Sequence, residues 1–252
     1  MSKVLITGCS TGFGLATAQH FLDQGWDVVA TMRDPAASTL PASDRLTVLA
    51  LDVTDAVSIE AALADAGPLD ALVNNAGLGM LNAIEGVSVE KIREVVETNL
   101  IGPIALIRAA MPGFRARGGG VVVNVSSSVT VAPLPALSVY TGSKTGLNGF
   151  TESFALEAAP QGVRTRLVLP GAAPSTDFGK NAMARIGLDI PAPYEDFVRG
   201  HLAKLQASTE VTLAEDVARA VWRAVTDPSA PMRIPAGADA VTAFRDAGWP
   251  VE

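Results

Sequence analysis

Close to the start of the chain, the apolar run "KVLI" at 3–6 leads straight into "TGCSTGFG" at 7–14, and a helix-like pattern follows. A strand that turns into a helix through Gly8, Gly12 and Gly14 has few options. The glycines let main-chain N–H groups approach an anion, and the positive end of the next helix faces the same charge, which suits a pyrophosphate. The rest of the chain repeats this alternation. Runs rich in β-branched residues fall at 3–7, 27–31, 46–51, 70–75, 120–126, 164–169 and 232–235, with longer stretches of helical period between them. These runs are apolar throughout, as parallel strands covered on both faces should be. The expected fold class is α/β: a Rossmann-type doubly wound parallel sheet of about seven strands with helices on both faces, forming one domain over 1–252. Hydrophobic residues make up 48% of 252, enough for a large core.

One stretch, 172–213, breaks the rhythm. It has prolines at 174, 191 and 193, then an amphipathic pattern with Phe197, Val198, His201, Leu202 and Leu205 on one face. It reads as an inserted lid over a substrate.

Charge and composition narrow the partners. A net charge of -7 and a pI near 4.9, with no local Lys/Arg run, exclude nucleic acid. The single cysteine, Cys9, rules out an internal disulfide, and His20 and His201 are too far apart in sequence to suggest a metal cluster. Cys9 itself reads as a small filler in the glycine loop. The start has too short an apolar run for a signal peptide, and no window is long and apolar enough to span a membrane, so a soluble cytoplasmic protein is expected.

The second strand bears on which dinucleotide would fit the glycine loop. Its end reads "VVATMRD", with Met32 where an acid would accept hydrogen bonds from an adenosine ribose and Arg33 next to it. The forked guanidinium of Arg33 suits a 2′-phosphate, and the Thr11 hydroxyl can join it. The cofactor expected is NADP(H).

The reactive groups come later. In "YTGSK", Tyr140 and Lys144 stand four residues apart, on one face of a helix. A free tyrosine titrates near 10, and a neighbouring ammonium favours its phenolate. Ser127, thirteen residues before Tyr140 at the end of the fifth strand, can hold a substrate oxygen if the connecting loop folds back. A fourth element comes from "ETNLIGP". The helical pattern from about 90 to 117 contains Pro103, which cannot donate to the carbonyl of Asn99 and crowds it. That carbonyl can hold a water linked to the lysine.

Taken together, "TGCSTGFG", "NNAG" at 74–77, Asn99, Ser127, "YTGSK" and "PG" at 170–171 resemble the short-chain dehydrogenase/reductase family over about residues 3 to 237. The glycine loop and "ATMRD" are similar to the hydroxysteroid and retinol dehydrogenase branch and to carbonyl reductases. The resemblance implies hydride transfer between NADP(H) and a small-molecule carbonyl or alcohol, frequently in a homodimer or homotetramer. It implies catalytic roles for Ser127, Tyr140, Lys144 and Asn99. Cofactor contacts are implied for Gly8, Ser10, Thr11, Gly12, Phe13 and Gly14, for Arg33, and for Asp52 and Val53 beside the adenine. Asn75, Ala76 and Gly77, Tyr140 and Lys144, and Pro170 and Gly171 complete that set. After "PG" the family usually has a threonine where this chain has Ser175, with Thr176 one residue later, so either hydroxyl is a candidate for the carboxamide. The stretches "GLGMLNAI", "VTVAPLPAL" and the lid are mostly apolar and point to an apolar ketone, aldehyde or secondary alcohol.

Two other readings compete. A redox-sensing protein could keep the fold and bind the dinucleotide without turnover, but it would not need Ser127, Tyr140 and Lys144 together. An epimerase or dehydratase on the same fold would normally carry a larger substrate domain.

Overall fold

The computed structural model describes residues 2–173, 190–207 and 209–251. The β-branched runs form seven strands: β1 Lys3–Thr7, β2 Asp27–Met32, β3 Leu46–Ala50, β4 Ala71–Asn74, β5 Gly120–Val125, β6 Val163–Pro170 and β7 Arg233–Ala236. All pair in parallel, in the order β3-β2-β1-β4-β5-β6-β7. Strand order reverses between β1 and β4, so their carboxyl ends diverge into a crevice where such sheets bind ligands.

Alternation along each strand divides the core into two layers. Val4, Ile6, Val28, Ala30, Val121 and Val123 pack on one face, with Ala18 and Phe21 of α1 (Gly12–Asp23) and Val217, Val221 and Val225 of α7 (Ala214–Thr226). Leu5, Val29, Leu72 and Val122 point the other way. They meet α2 (Ala56–Ala66), α4 (Gly102–Arg117) and α5 (Ser138–Ala158) through Ile59, Leu106, Phe114 and Phe154. Burying both faces is what makes the central strands largely apolar on either side of the sheet.

The helical pattern around 90–117 is not one kinked α-helix. It consists of α3 (Val89–Val96), a π-helical turn (Glu97–Ile101) and α4. In the π turn the Gly102 N–H donates to the Glu97 carbonyl, five residues back. Pro103 then lies in the first turn of α4, where its missing N–H costs least. An inserted residue accommodates the proline and turns Asn99 into the interior, where it is 0% exposed.

Beyond β6, the described residues of the insertion include α6 (Glu195–Ala207), and α8 (Ala238–Asp246) follows β7. Within α6 the expected apolar face is divided. Val198 is buried at 2% exposure but Phe197 is 63% exposed, so Phe197 does not belong to the inward face. The side chains of Leu202 and Leu205, and all of Ser175 and Thr176, lie outside the described residues. Among the described residues, no helix is long and apolar enough to cross a membrane.

Candidate active site

The glycine loop is held in place by the end of β4. Gly8 has φ +74, a backbone region that side chains other than glycine's rarely enter. A Cβ at Gly14 would strike the Gly8 carbonyl and come within 2.5 Å of Asn75 Nδ2, so the loop closes on itself only with glycine there. The Thr7 hydroxyl accepts from the N–H groups of Asn75 and Ala76, both at 2.9 Å, and Asn75 Nδ2 donates to the Thr7 carbonyl at 2.8 Å. The "NNAG" segment thus ties the carboxyl ends of β1 and β4 together. Thr11 is the N-cap of α1 in extended conformation, its side chain makes no capping bond, and the first turn of α1 has no acid. Ser10 and Phe13 are both half-buried in the same loop, and Phe13 packs on the core. Cys9 is buried, its thiol donating to the Ile6 carbonyl at 3.2 Å, and burial pushes it up to about 12. It is an inert filler at neutral pH.

At the end of β2, Arg33 is exposed while Met32 is 3% exposed inside the apolar layer. Asp52 lies near Arg33. Its carboxyl is held below the usual range chiefly by the N–H and hydroxyl of Thr54, at 2.9 and 2.7 Å, with the Arg33 charge acting in the same direction. Val53 is buried in the second layer.

The structure brings Ser127, Tyr140, Lys144, Asn99 and Gly77 together. Tyr140 and Lys144 are 8% and 4% exposed on the inner face of α5, and Ser127, just past β5, is 6% exposed. The Ser127 hydroxyl is hydrogen-bonded to the Tyr140 phenol. Lys144 Nζ donates to the Val125 carbonyl at 2.8 Å. A Cβ placed on Gly77 would lie 3.5 Å from Lys144 Nζ and 3.3 Å from Asn99 Oδ1, which measures how closely the three approach. Asn99 Oδ1 accepts from the Leu78 N–H at 2.7 Å, while Nδ2 donates to the Leu78 carbonyl at 2.8 Å and to Ser143 Oγ at 3.1 Å. Ser143 in turn donates to the Tyr140 carbonyl at 2.7 Å. The Asn99 side chain therefore joins the loop after β4 to α5.

Electrostatics correct one expectation. A lysine beside a tyrosine should pull the phenol pKa down, yet Tyr140 is pushed up to about 12 by burial, with only the Ser127 hydrogen bond opposing it. Burial also lowers Lys144, to about 8. Desolvation dominates because both groups are inside the protein, and it favours the neutral form of each.

At the end of β6, the Gly171 N–H donates to Thr212 Oγ1 at 2.9 Å and the Ala172 N–H to Asp239 Oδ2 at 2.5 Å. Thr212 N–H returns a bond to the Ala172 carbonyl at 2.8 Å. The two feet of the insertion are thereby fastened beside Pro170 and Gly171. Further along, the Tyr194 phenol donates to Glu85 Oε1 at 2.8 Å, which joins the insertion to the loop after β4. Thr7 opens the glycine motif, though its hydroxyl's role in tying β1 to β4 is not visible there, and neither Thr212 nor Asp239 is evident from motif spacing. Only Asn148, four residues beyond Lys144, leaves a periodic trace.

Across the site, Ala136 lies in the loop between Ser127 and Tyr140 at φ +60, the one described non-glycine residue with positive φ. Its carbonyl accepts from the Asn82 N–H at 2.9 Å, which holds it there. The left-handed region costs alanine about 1–2 kcal/mol, and glycine gives back part of that through unfolded-state entropy. Ala136→Gly should therefore stabilise the protein by about 0.5–1 kcal/mol in urea unfolding. A lower midpoint would show that the loop is not strained.

This sheet order, with a buried Ser-Tyr-Lys cluster beside a glycine loop at the switch point, defines a dinucleotide-fold oxidoreductase. The family model described as short chain dehydrogenase matches residues 2–186, and the chain belongs to that family. It is 36% identical over 220 residues to the uncharacterized oxidoreductase YusZ of Bacillus subtilis, covering 82% of this chain and 78% of that one. Retinol dehydrogenase 8 of Homo sapiens is 36% identical over 196 residues, covering 73% of this chain and 63% of that protein. A short-chain dehydrogenase structure from Streptomyces avermitilis superposes with a TM-score of 0.81 at 31% identity, covering 97% of this chain and 91% of that one.

Proposed function

We propose that this oxidoreductase uses NADP(H) to interconvert an apolar ketone or aldehyde and the corresponding alcohol. The observation that carries the reading is the buried hydrogen bond between Ser127 and Tyr140 with Lys144 one helical turn away. The chain also fits the cofactor: α1 begins with an uncapped Thr11 and no acid, and a glycine loop that tolerates no extra Cβ at Gly14 leads into it. Gly8, Ser10, Thr11, Gly12, Phe13 and Gly14 would hold the pyrophosphate, Arg33 with Thr11 the 2′-phosphate, and Asp52 and Val53 the adenine. Asn75, Ala76, Gly77, Lys144, Pro170 and Gly171 would border the nicotinamide side, with Ser175 or Thr176 on the carboxamide. When bound, the nicotinamide supplies or accepts the hydride.

The protein's own residues handle the oxygen and its proton. Ser127 orients the carbonyl oxygen, Tyr140 gives or takes the proton, and Lys144 recharges Tyr140 through water held at the Asn99 main chain. We read the 172–213 insertion as a lid over the substrate; hydrogen bonds from the Gly171 and Ala172 N–H groups to Thr212 and Asp239 anchor its ends beside β6. We read 1–252 as one domain, acting in the cytoplasm as a homodimer or homotetramer. The test is turnover of a panel of aryl ketones, steroids, retinoids and aliphatic aldehydes with NADPH and with NADH. Reduction of apolar members with NADPH is expected. Absence of turnover across the panel would remove the reading.

A further inference from the structure

Tyr140, Lys144 and Asn148 follow one another at four-residue intervals on the buried face of α5, and Asn148 is 5% exposed. The first two belong to the proposed chemistry. The third meets side-chain hydroxyls on either side of Ser127, one of which bonds the Ser127 main chain. Ser126 Oγ donates to Asn148 Oδ1 at 2.6 Å, Asn148 Nδ2 donates to Thr130 Oγ1 at 3.0 Å, and Thr130 Oγ1 donates to the Ser127 carbonyl at 2.8 Å.

Donor and acceptor bookkeeping fixes the direction of this ring. The Thr130 hydroxyl has one proton, given to the Ser127 carbonyl, so it must accept from Asn148. That uses the amide nitrogen and leaves the amide oxygen for Ser126. A carboxylate at 148 has no proton to give Thr130, and an aliphatic side chain satisfies neither neighbour.

We propose that Asn148 is a positioning residue: through Ser126 and Thr130 it holds the Ser127 main chain at the separation from α5 at which Ser127 and Tyr140 meet. Ser127 leaves a β-strand and Tyr140 sits on a helix, and the loop between them contains the strained Ala136. Chain connectivity through that loop does little to set their distance. The amide does so directly, because it is carried by the same rigid helix as Tyr140. A shift of about 1 Å between reacting groups can cost about a hundredfold in rate, so such a spacer acts on catalysis without touching substrate.

This inference rests on the proposed Ser127–Tyr140 chemistry, so its test reads the contact itself. The chain has two tyrosines. In a Tyr194→Phe background Tyr140 is the sole one, and the NMR signal of its labelled ζ-carbon reports the hydrogen bond without substrate or cofactor. Ser127→Ala supplies the reference in which that bond is gone. Thr130→Val keeps the side-chain shape and removes the hydroxyl. Asn148→Leu fills a similar volume with neither bond. Both are expected to move the Tyr140 signal toward the Ser127→Ala position, and Thr130→Ser should restore it. Turnover in Thr130→Val should fall roughly tenfold or more in kcat with KM little changed. If Asn148→Leu does not fold, Thr130→Val alone decides. The inference is overturned if Thr130→Val, or a folded Asn148→Leu, keeps the parental signal, or if Ser127→Ala leaves the signal in place. Failure of the oxidoreductase reading is separate: it would appear as no turnover by the parent, with the NMR signals still resolved.

Discussion

Tyr140→Phe should lower turnover about a hundredfold or more and leave cofactor affinity nearly unchanged. The phenylalanine ring keeps the packing of a side chain only 8% exposed, so the fold of α5 is preserved. What disappears is the hydroxyl that shares a hydrogen bond with Ser127. In carbonyl reduction the oxygen gains negative charge and must receive a proton, which under the proposed function the neutral phenol would provide. Burial pushes Tyr140 up to about 12, so the phenol stays protonated through neutral pH. Lys144, lowered to about 8, is mostly an ammonium at pH 7 and loses its charge as pH rises through that value. Reduction should therefore hold steady near neutrality and decline at alkaline pH. Alcohol oxidation needs the proton to leave Tyr140, whose phenol burial pushes up to about 12, so it should rise with pH toward that value. The measurement is kcat in both directions for parent and variant, with cofactor affinity followed by fluorescence. Near-parental turnover by the phenylalanine variant would remove Tyr140 from the chemistry.

How much of this was readable in the sequence depends on what each feature requires locally. The strands were readable because burial on both faces favours runs of apolar, often β-branched residues, so "VVVNV" announces itself without its neighbours. The π turn at 97–101 was not, because one extra residue in a helix barely alters an apolar repeat. Only Pro103 signalled an irregularity, and it suggested a kink. Phe197 shows the limit of helical wheels: the pattern groups it with Val198, while the protein buries one and exposes the other. Charge proximity between Tyr140 and Lys144 is visible in the spacing. Desolvation, the larger effect on both, depends on packing from the sheet and the loops. Asn148 shares the four-residue period of its neighbours, but its partners Ser126 and Thr130 come from another element, and no pattern within α5 identifies them.

Replacing Arg33 should produce the second large effect, a loss of about ten- to a hundredfold in kcat/KM with NADPH and little change with NADH. A hydrogen bond to a charged group contributes about 1.5–3 kcal/mol, and each 1.4 kcal/mol is about tenfold. Arg33 is exposed, so Arg33→Ala leaves the core intact. The adjacent Met32 is less suitable for the same purpose. It is 3% exposed in the layer that also contains Val28, Ala30 and Phe21, and an aspartate there would put a carboxylate among apolar side chains. Weak activity in a Met32→Asp variant would then confuse lost folding with lost recognition. Arg33 lies close enough to Asp52 to act on it: the Thr54 N–H and hydroxyl chiefly hold that carboxyl below its ordinary range, and the Arg33 charge adds a smaller effect of the same sign. The decisive comparison is parent against Arg33→Ala, each with both cofactors. A parent that uses NADH as well as NADPH, or an alanine variant that retains the parental NADPH preference, would show that Arg33 does not select the cofactor.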